Sequence, residues 1–369
     1  MMTLAFRNLF HNRVRLVAST GGVALALMLI LALDAIFTGV ERQITAVIDN
    51  SGADVFVAQS GVRNFHMASS SLPASSVQAV ESMEGVAAVT PILYLTNMVV
   101  IGEERNLAYI LGLPEEANAG VAWKVSAGKA LPGLGEAVVD RRIAENSGVG
   151  LGDPVEILGR KFKIAGLSEG TANITSSTAY ISLQDFAALR GQGVVSYLLV
   201  QVEPGEIAAA VAKHIQAQLD GVTALPRQTF AAQERQVVKD MSTDVIAIMN
   251  LAGLSIGMAV MALTVYTATL SRRAEYGVLK ALGARDAHLY RAVLAQALIS
   301  VGLGFGLGVI FTWLLAQALL AMGSSLYLLI SLESLVKVAA AALVIAGLSA
   351  ILPIKQISGL DPAIVFRGK

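Results

Sequence analysis

Gly166-Leu167-Ser168-Glu169-Gly170 has the G-x-S-x-G spacing of a nucleophile elbow, and Asp185 and His214 follow in the chain order of an acid and a base. An elbow requires a strand, a sharp turn and then a helix, so that the hydroxyl stands free at the top of the turn. Thr171-Ala172-Asn173-Ile174-Thr175-Ser176-Ser177 follows instead and has no helical period, which speaks against hydrolysis. His11, His66, His214 and His288 are scattered without H-E-x-x-H or comparable metal spacing. The absence of cysteine removes thiol catalysis, disulfides and thiolate metal sites together. No G-x-x-x-x-G-K-[ST] occurs, so this chain has no P-loop to cradle a nucleotide. No catalytic residue, bound cofactor or metal is therefore expected.

Two features remain as candidate substrate contacts. Asp34 is an acid inside an otherwise apolar run, and a carboxylate there is by default a functional hypothesis, although near the end of the run it can also reach interfacial water. His66 and Met67 follow Arg63-Asn64-Phe65 in a Ser-rich loop. Such a pair can ligate a haem-type amphiphile, or be no more than solvated loop residues.

The elements that must position these residues follow from hydropathy. Of 369 residues 55% are apolar and 15% charged, against about 25% charged in ordinary soluble domains, so part of the chain sits in lipid. Basic and acidic residues number 27 each, and nothing in that balance draws the chain to nucleic acid. A span needs about 20 apolar residues. Residues 17–39 and 245–270 each supply one. The run from 292 to 332 is too long for one helix, and Gly323-Ser324-Ser325 divides it into a third span at 292–322, an outer loop at 323–334, and a fourth span at 335–354 ended near Pro353. Basic residues cluster in 1–16, 271–291 and 355–369, which places these segments and both termini in the cytoplasm of a multi-pass cell (inner or plasma) membrane protein. Residues 40–243 then lie outside. A cleaved signal peptide would also begin basic and apolar, but the first run exceeds a typical h-region.

The outer segment reads as mixed α/β, with strand patterns at 54–58, 86–101, 107–113, 154–167 and 195–202 and capped helices at 183–190 and 206–219. Residues 230–244 read as a helical stalk leading into span two. The fold class is thus four transmembrane helices plus an extracytoplasmic mixed α/β domain. Gly253 and Gly257 in span two, with Gly302, Gly304, Gly306 and Gly308 in span three, let helices approach closely within one chain or at a dimer seam.

The loop after span two reads Ser271-Arg272-Arg273-Ala274-Glu275-Tyr276-Gly277-Val278-Leu279-Lys280-Ala281-Leu282-Gly283-Ala284. This resembles the R-x-E-[YIF]-G-[VI]-L-[KR]-A-L-G-A signature of permeases in the FtsX and MacB superfamily of ABC transporters. Ala5-Phe6-Arg7-Asn8-Leu9, like the family's amphipathic helix leading into span one, and Ile357-Ser358-Gly359-Leu360-Asp361-Pro362-Ala363 agree with it. Gly135 to Asp140, Gly148 to Asp153 and Phe162 to Gly166 resemble a MacB-type periplasmic core. The resemblance implies a homodimeric permease paired with a separate ATPase subunit that binds ATP and Mg, with a periplasmic adaptor as a further partner. The lack of an ATPase on this chain, with the region Gln59-Ser60-Gly61-Val62, is similar to split permeases of the DevC-like or haem-exporting kind. Export of an amphiphilic or envelope substrate is then expected; the alternative is an FtsX-like scaffold that regulates an envelope hydrolase and transports nothing. Independently of the family, Glu275, Leu279 and Leu282 recur at helical spacing and Gly283 suits a C-cap. Such a helix seats in a partner's groove or lies on lipid headgroups.

Overall fold

The computed structural model describes residues 13–66, 69–173, 176–322, 324 and 326–358. Helix α1 (Arg13–Asp49) precedes β1 (Val55–Gln59), β2 (Leu72–Pro73), α2 (Ser75–Glu81), β3 (Val86–Ile101), β4 (Glu104–Leu113), β5 (Val125–Gly128) and β6 (Glu136–Asp140). There follow α3 (Arg141–Asn146), β7 (Pro154–Ile157), β8 (Arg160–Ser168), β9 (Ser177–Ser182), α4 (Leu183–Arg190), β10 (Val194–Val195), β11 (Tyr197–Val202), α5 (Ala208–Gln218) and β12 (Val222–Pro226). The remainder is helical: α6 (Arg227–Ser271), α7 (Arg273–Ala281), α8 (Asp286–Ala321), α9 (Leu332–Ser349) and α10 (Ile351–Ser358). The chain divides into two compact units, residues 40–241 and residues 1–39 with 242–369.

In the α/β unit the long, β-branched strand β3 is the spine. Its first half pairs with β11, which continues to β1 and β12. Its second half pairs with β4 and β7, and the ladder β4–β9–β6–β8–β7 returns to β3, closing a ring of strands around Val99, Ile110, Val139, Ile157, Phe162, Ile181 and Phe186. Closure leaves these strands no free edge. The pattern at 154–167 is not one strand. It breaks at Leu158-Gly159, where φ is +53° and +79°, the two-residue turn that matches strand twist. Leucine carries no signal for that conformation, so the run reads as continuous in sequence.

The other unit holds most of the four helical stretches long and apolar enough to cross a membrane: α1, α6, α8, and Leu332–Lys355 made of α9 with α10. Half of the apolar window of α1 is buried, against 17% of that of α6, which makes α1 the central helix. Glycines set how near its neighbours come. A Cβ on Gly304 or Gly308 of α8 would stand 3.2 Å from the Thr20 carbonyl oxygen or 3.1 Å from that of Ala24, and on Gly253 of α6 would stand 2.8 Å from the Ile30 side chain. Gly257 lies as tightly against Ala26 and Ile345, whereas Gly302 and Gly306 face open space. Between α8 and α9 the chain is extended, and the Leu329 N–H donates to the Ala35 carbonyl at 3.0 Å. Gly39 makes room for this segment, because a Cβ there would run into the Tyr327 carbonyl oxygen.

Two boundaries differ from expectation. The helix entering span two begins at Arg227 and continues unbroken to Ser271. The fourth long helix ends at Ser349, before Pro353, and α10 starts a new helix that contains the proline. Pro353 has no N–H for the Ser349 carbonyl four residues back, and its ring crowds that carbonyl, so the break falls one turn earlier than the residue itself.

Residues 40–241 contain their own closed strand system and cores, and a fragment of that length is expected to show mixed α/β circular dichroism and a cooperative melt. An unfolded fragment would show that the helical unit supplies packing it needs. In the full chain Gly39→Ala is expected to cost about 1–3 kcal/mol, because backbone cannot yield as a side chain can. Gly302→Ala, into open space, should leave the melting temperature in detergent unchanged or slightly raised.

Candidate functional site

The signature segment folds as α7, set off from α6 by Arg272. Its C-terminus is closed by a Schellman motif: Gly283, at φ +87°, donates from its N–H to the Lys280 carbonyl, and the Ala284 N–H donates to that of Leu279, both at 3.0 Å. Lys280 pairs with Asp286 at 3.2 Å, and Arg272 with Glu275 at 3.4 Å. These contacts make α7 a defined helix with two faces. Tyr276 and Gly277 are buried, and Tyr276 and Leu279 pack into the bundle core with Leu289, Val293 and Ala350. Burial pushes the Tyr276 phenol above its ordinary value, so it stays neutral. The opposite face presents Glu275, Val278, Ala281 and Leu282, with Val278 42% and Leu282 80% exposed. Leu282 is thus available as an external anchor, but Leu279 is not, because it is committed to its own core. Val278, four residues before Leu282, takes its place.

At the end of the bundle opposite α7, Asp34 of α1 meets α9. Lys337 Nζ lies 3.7 Å from Asp34 Oδ1 and 2.9 Å from Glu333 Oε1. Asp34 Oδ2 and Asn250 Oδ1 are buried with no hydrogen-bond donor among the described residues. Residues Asp34, Asn250 and Lys337 line a cavity of about 330 Å³ together with Ile30, Leu251, Leu254, Val338 and Ala341. Asn250 was absent from the sequence reading. Its signal, an amide within an otherwise apolar span, was there to be found.

His66 has both ring nitrogens engaged. Nδ1 meets Glu234 Oε1, and Nε2 lies 2.5 Å from the Tyr109 hydroxyl. Glu234, on the first turns of α6, is fully buried and also accepts the Phe65 N–H at 2.8 Å. Phe65 stacks with Tyr94 and meets Phe230 edge-on, so the loop is clamped by aromatic packing. Burial lowers the His66 ring below its usual value and raises the Tyr109 phenol. Nδ1 donates to the Glu234 carboxylate, which only accepts, and Nε2 shares a hydrogen bond with the Tyr109 hydroxyl. Neither nitrogen remains for haem iron, and Met67 lies outside the described residues. The role of His66 is to hold the loop. No sequence spacing links residues 66, 109 and 234, which meet only through tertiary folding.

The elbow-like serine is structural. Ser168 is the last residue of β8, fully buried, with its hydroxyl 2.7 Å from that of Thr171, which donates to Asp140 at 2.7 Å. Asp185 accepts the Gly135 N–H and pairs with Arg160, while His214 is exposed on α5. Among the described residues no cluster could hold a metal ion.

The family of MacB-like periplasmic core domains matches residues 16–218, and that of FtsX-like permease C-terminal domains matches residues 247–362. An uncharacterized ABC transporter permease of Mycobacterium tuberculosis is 22% identical over 371 residues, covering 100% of both chains. Another, of Methanocaldococcus jannaschii, is 21% identical over 401 residues, covering 100% of this chain and 98% of the relative. Among solved structures, the periplasmic region of MacB from Actinobacillus actinomycetemcomitans superposes with a TM-score of 0.40 at 16% identity over 50% of this chain and 94% of its own. The extracellular domain of the transporter YknZ gives 0.37 at 14% over 47% and 98%.

The His66 contact carries a pH signature. Its native value lies below the ordinary 6.5, so the unfolded chain takes up the proton first. The stability it contributes is full above about pH 6.5 and declines as pH falls below that value. Melts of residues 40–241 across pH 5 to 8, compared with His66→Gln, test this; an identical slope in both would remove His66 as the titrating group.

Proposed function

We propose that this protein, which belongs to the family of MacB- and FtsX-like ABC transporter permeases, is the membrane subunit of a transporter whose ATP is hydrolysed on a separate subunit. The observation that carries the reading is the exposed face of α7. A short helix, capped at one end and anchored through Tyr276, Gly277 and Leu279, holds two apolar side chains out beside Glu275. An anchored helix with an outward apolar pair is suited to a partner's groove. Lipid headgroups are the rival surface, and the rigid attachment of α7 to the bundle favours the protein partner.

In this reading the segment carrying α7 and both termini are cytoplasmic, as their basic residues indicate, and the α/β domain lies across the cell membrane. Closure of the ATPase moves α7 and, through it, the long helix α6, whose first turns hold Glu234 of the α/β unit. Two such permeases would face two ATPase subunits, and the open glycine face at Gly302 and Gly306 offers a surface for the second copy. ATP and Mg are held by the partner. An amphiphilic or envelope substrate, with a periplasmic adaptor receiving it, is the cargo of this reading.

Val278→Asp with Leu282→Asp is expected to leave the membrane level of the protein unchanged and to reduce co-purified ATPase at least tenfold, since anchors of this kind can each contribute about 2 kcal/mol or more. Leu279→Asp should act differently, lowering the protein level itself because it places a charge in the bundle core. Retention of the ATPase at wild-type stoichiometry by the double variant would sink the docking assignment and leave α7 as a helix lying on the membrane.

A further inference from the structure

We infer that a cavity at the carboxyl ends of β4 and β9 is a binding site for the aliphatic chain of an uncharged or cationic amphiphile. The site belongs to the α/β unit alone, goes beyond ATPase coupling and does not depend on it. Strand topology makes the opening. β4 and β9 are adjacent parallel strands, and their last paired residues are Leu113 and Ser182. Beyond that pair the two chains part: the segment after β4 carries Ala119 into the core around Phe56 and Leu199, whereas β9 runs into α4, whose Phe186 enters the core around Val99 and Ile110. Parallel strands whose continuations diverge leave a crevice beyond their carboxyl ends, a usual place for a ligand in α/β folds. Here it measures about 370 Å³, within the range of small-molecule sites.

The walls are built and held. Leu183 and Ala187, four residues apart, share one face of α4, while Phe186 packs against Gly112 on the strand side. The small side chain at Ala187 leaves space that a larger one would fill. A further wall is the turn bearing Leu134, and the buried Asp185 ties it to α4: one carboxylate oxygen accepts the Gly135 N–H at 2.7 Å and the Ser182 O–H at 2.9 Å, and the other meets Arg160 at 2.9 Å. The cavity is therefore preformed, which spares a ligand the cost of ordering it. Leu134 is itself 56% exposed, so apolar surface is on offer at the mouth.

The lining selects the ligand. Leu113, Pro114, Leu134, Leu183 and Ala187 ask for hydrocarbon. Gln184 and Gln192 add amides at the edge, and Glu115, exposed, is the one charged residue of the lining. Among the described residues no Lys or Arg lines the cavity to receive an anion. A carboxylate head would shed water with no cation in return and would face Glu115, whereas a hydroxyl or an ammonium meets acceptors. A concave site of this size suits a small ligand and not the broad surface of a protein partner.

The test uses the full-length permease in nanodiscs, titrated calorimetrically with octanol, octylamine and octanoate, with empty nanodiscs giving the partition into lipid. Octanol and octylamine are expected to bind saturably at one site per chain, and octanoate to bind about tenfold more weakly or not at all. Ala187→Phe fills the cavity from α4, and Leu134→Asp places a charge at its exposed mouth with little consequence for folding. Each should weaken octanol binding about tenfold or more, since losing the burial of two methylenes suffices for that, at a melting temperature within the wild-type range. If Ala187→Phe does not fold, Leu134→Asp and the three headgroups decide. Undiminished octanol affinity in a folded variant, or octanoate bound as tightly as octanol, would overturn the site. Heat from lipid partition alone would overturn it too, and leave the crevice as a seat for a partner's side chain.

Discussion

The arrangement of the membrane bundle depends on one constraint, the close approach of backbone to backbone along α1. Apolar side chains gain little by leaving lipid for one another, so helices in a bilayer hold together by dispersion at short range. That requires small residues where they cross. Gly304 and Gly308 bring α8 against the carbonyls of Thr20 and Ala24, Gly253 and Gly257 bring α6 against Ile30 and Ala26, and Gly39 admits the extended segment at Tyr327. With three elements seated this tightly, α1 cannot tilt or slide without opening voids, and the polar groups it carries are held at fixed depth. Asp34 is therefore positioned by glycines that pack elsewhere along α1.

A second consequence concerns α6. This helix is unbroken from Arg227 to Ser271, and it carries Glu234, the clamp on the loop at His66, as well as Asn250, Gly253 and Gly257. Glu234 and the junction with α7 after Ser271 thus belong to one continuous helix. Coupling between distant sites would require an element with discrete arrangements that both ends bias.

Much of this architecture was legible in the sequence. Four apolar runs, the β-branched stretch of β3 and the cap at Ser182 each express a local rule, and the structure places helices and strands there. The α7 helix was legible for the same reason, since spacing and Gly283 act within a few residues. What could not be read was whatever depends on tertiary encounter. Which of Val278 and Leu279 faces outward is decided by where Leu289 and Val293 lie. The closing of strands into a ring, the meeting of His66 with Glu234, and the assembly of Asp34, Asn250 and Lys337 from three helices leave no trace in spacing. Pro353 is the intermediate case: the break it causes follows from its missing donor, yet falls at Ser349, where the orphaned carbonyl is.

The two faces of α7 bear on how a soluble partner could move a membrane helix. Were the segment a flexible loop tethered at its ends, a push on Leu282 would be spent in reordering the loop. Instead, the Schellman closure at Gly283 and the pairing of Lys280 with Asp286 join α7 directly to the start of α8, while Tyr276 and Leu279 key it into the core. Displacing the exposed face must then displace Tyr276, and with it Leu289 and Val293 of α8. Interiors packed at near-crystalline density respond to such displacement by moving as a body and not by local compression. The apolar pair Val278 and Leu282 and the buried pair Tyr276 and Leu279 thus lie on two sides of one short segment, α7 and its C-cap.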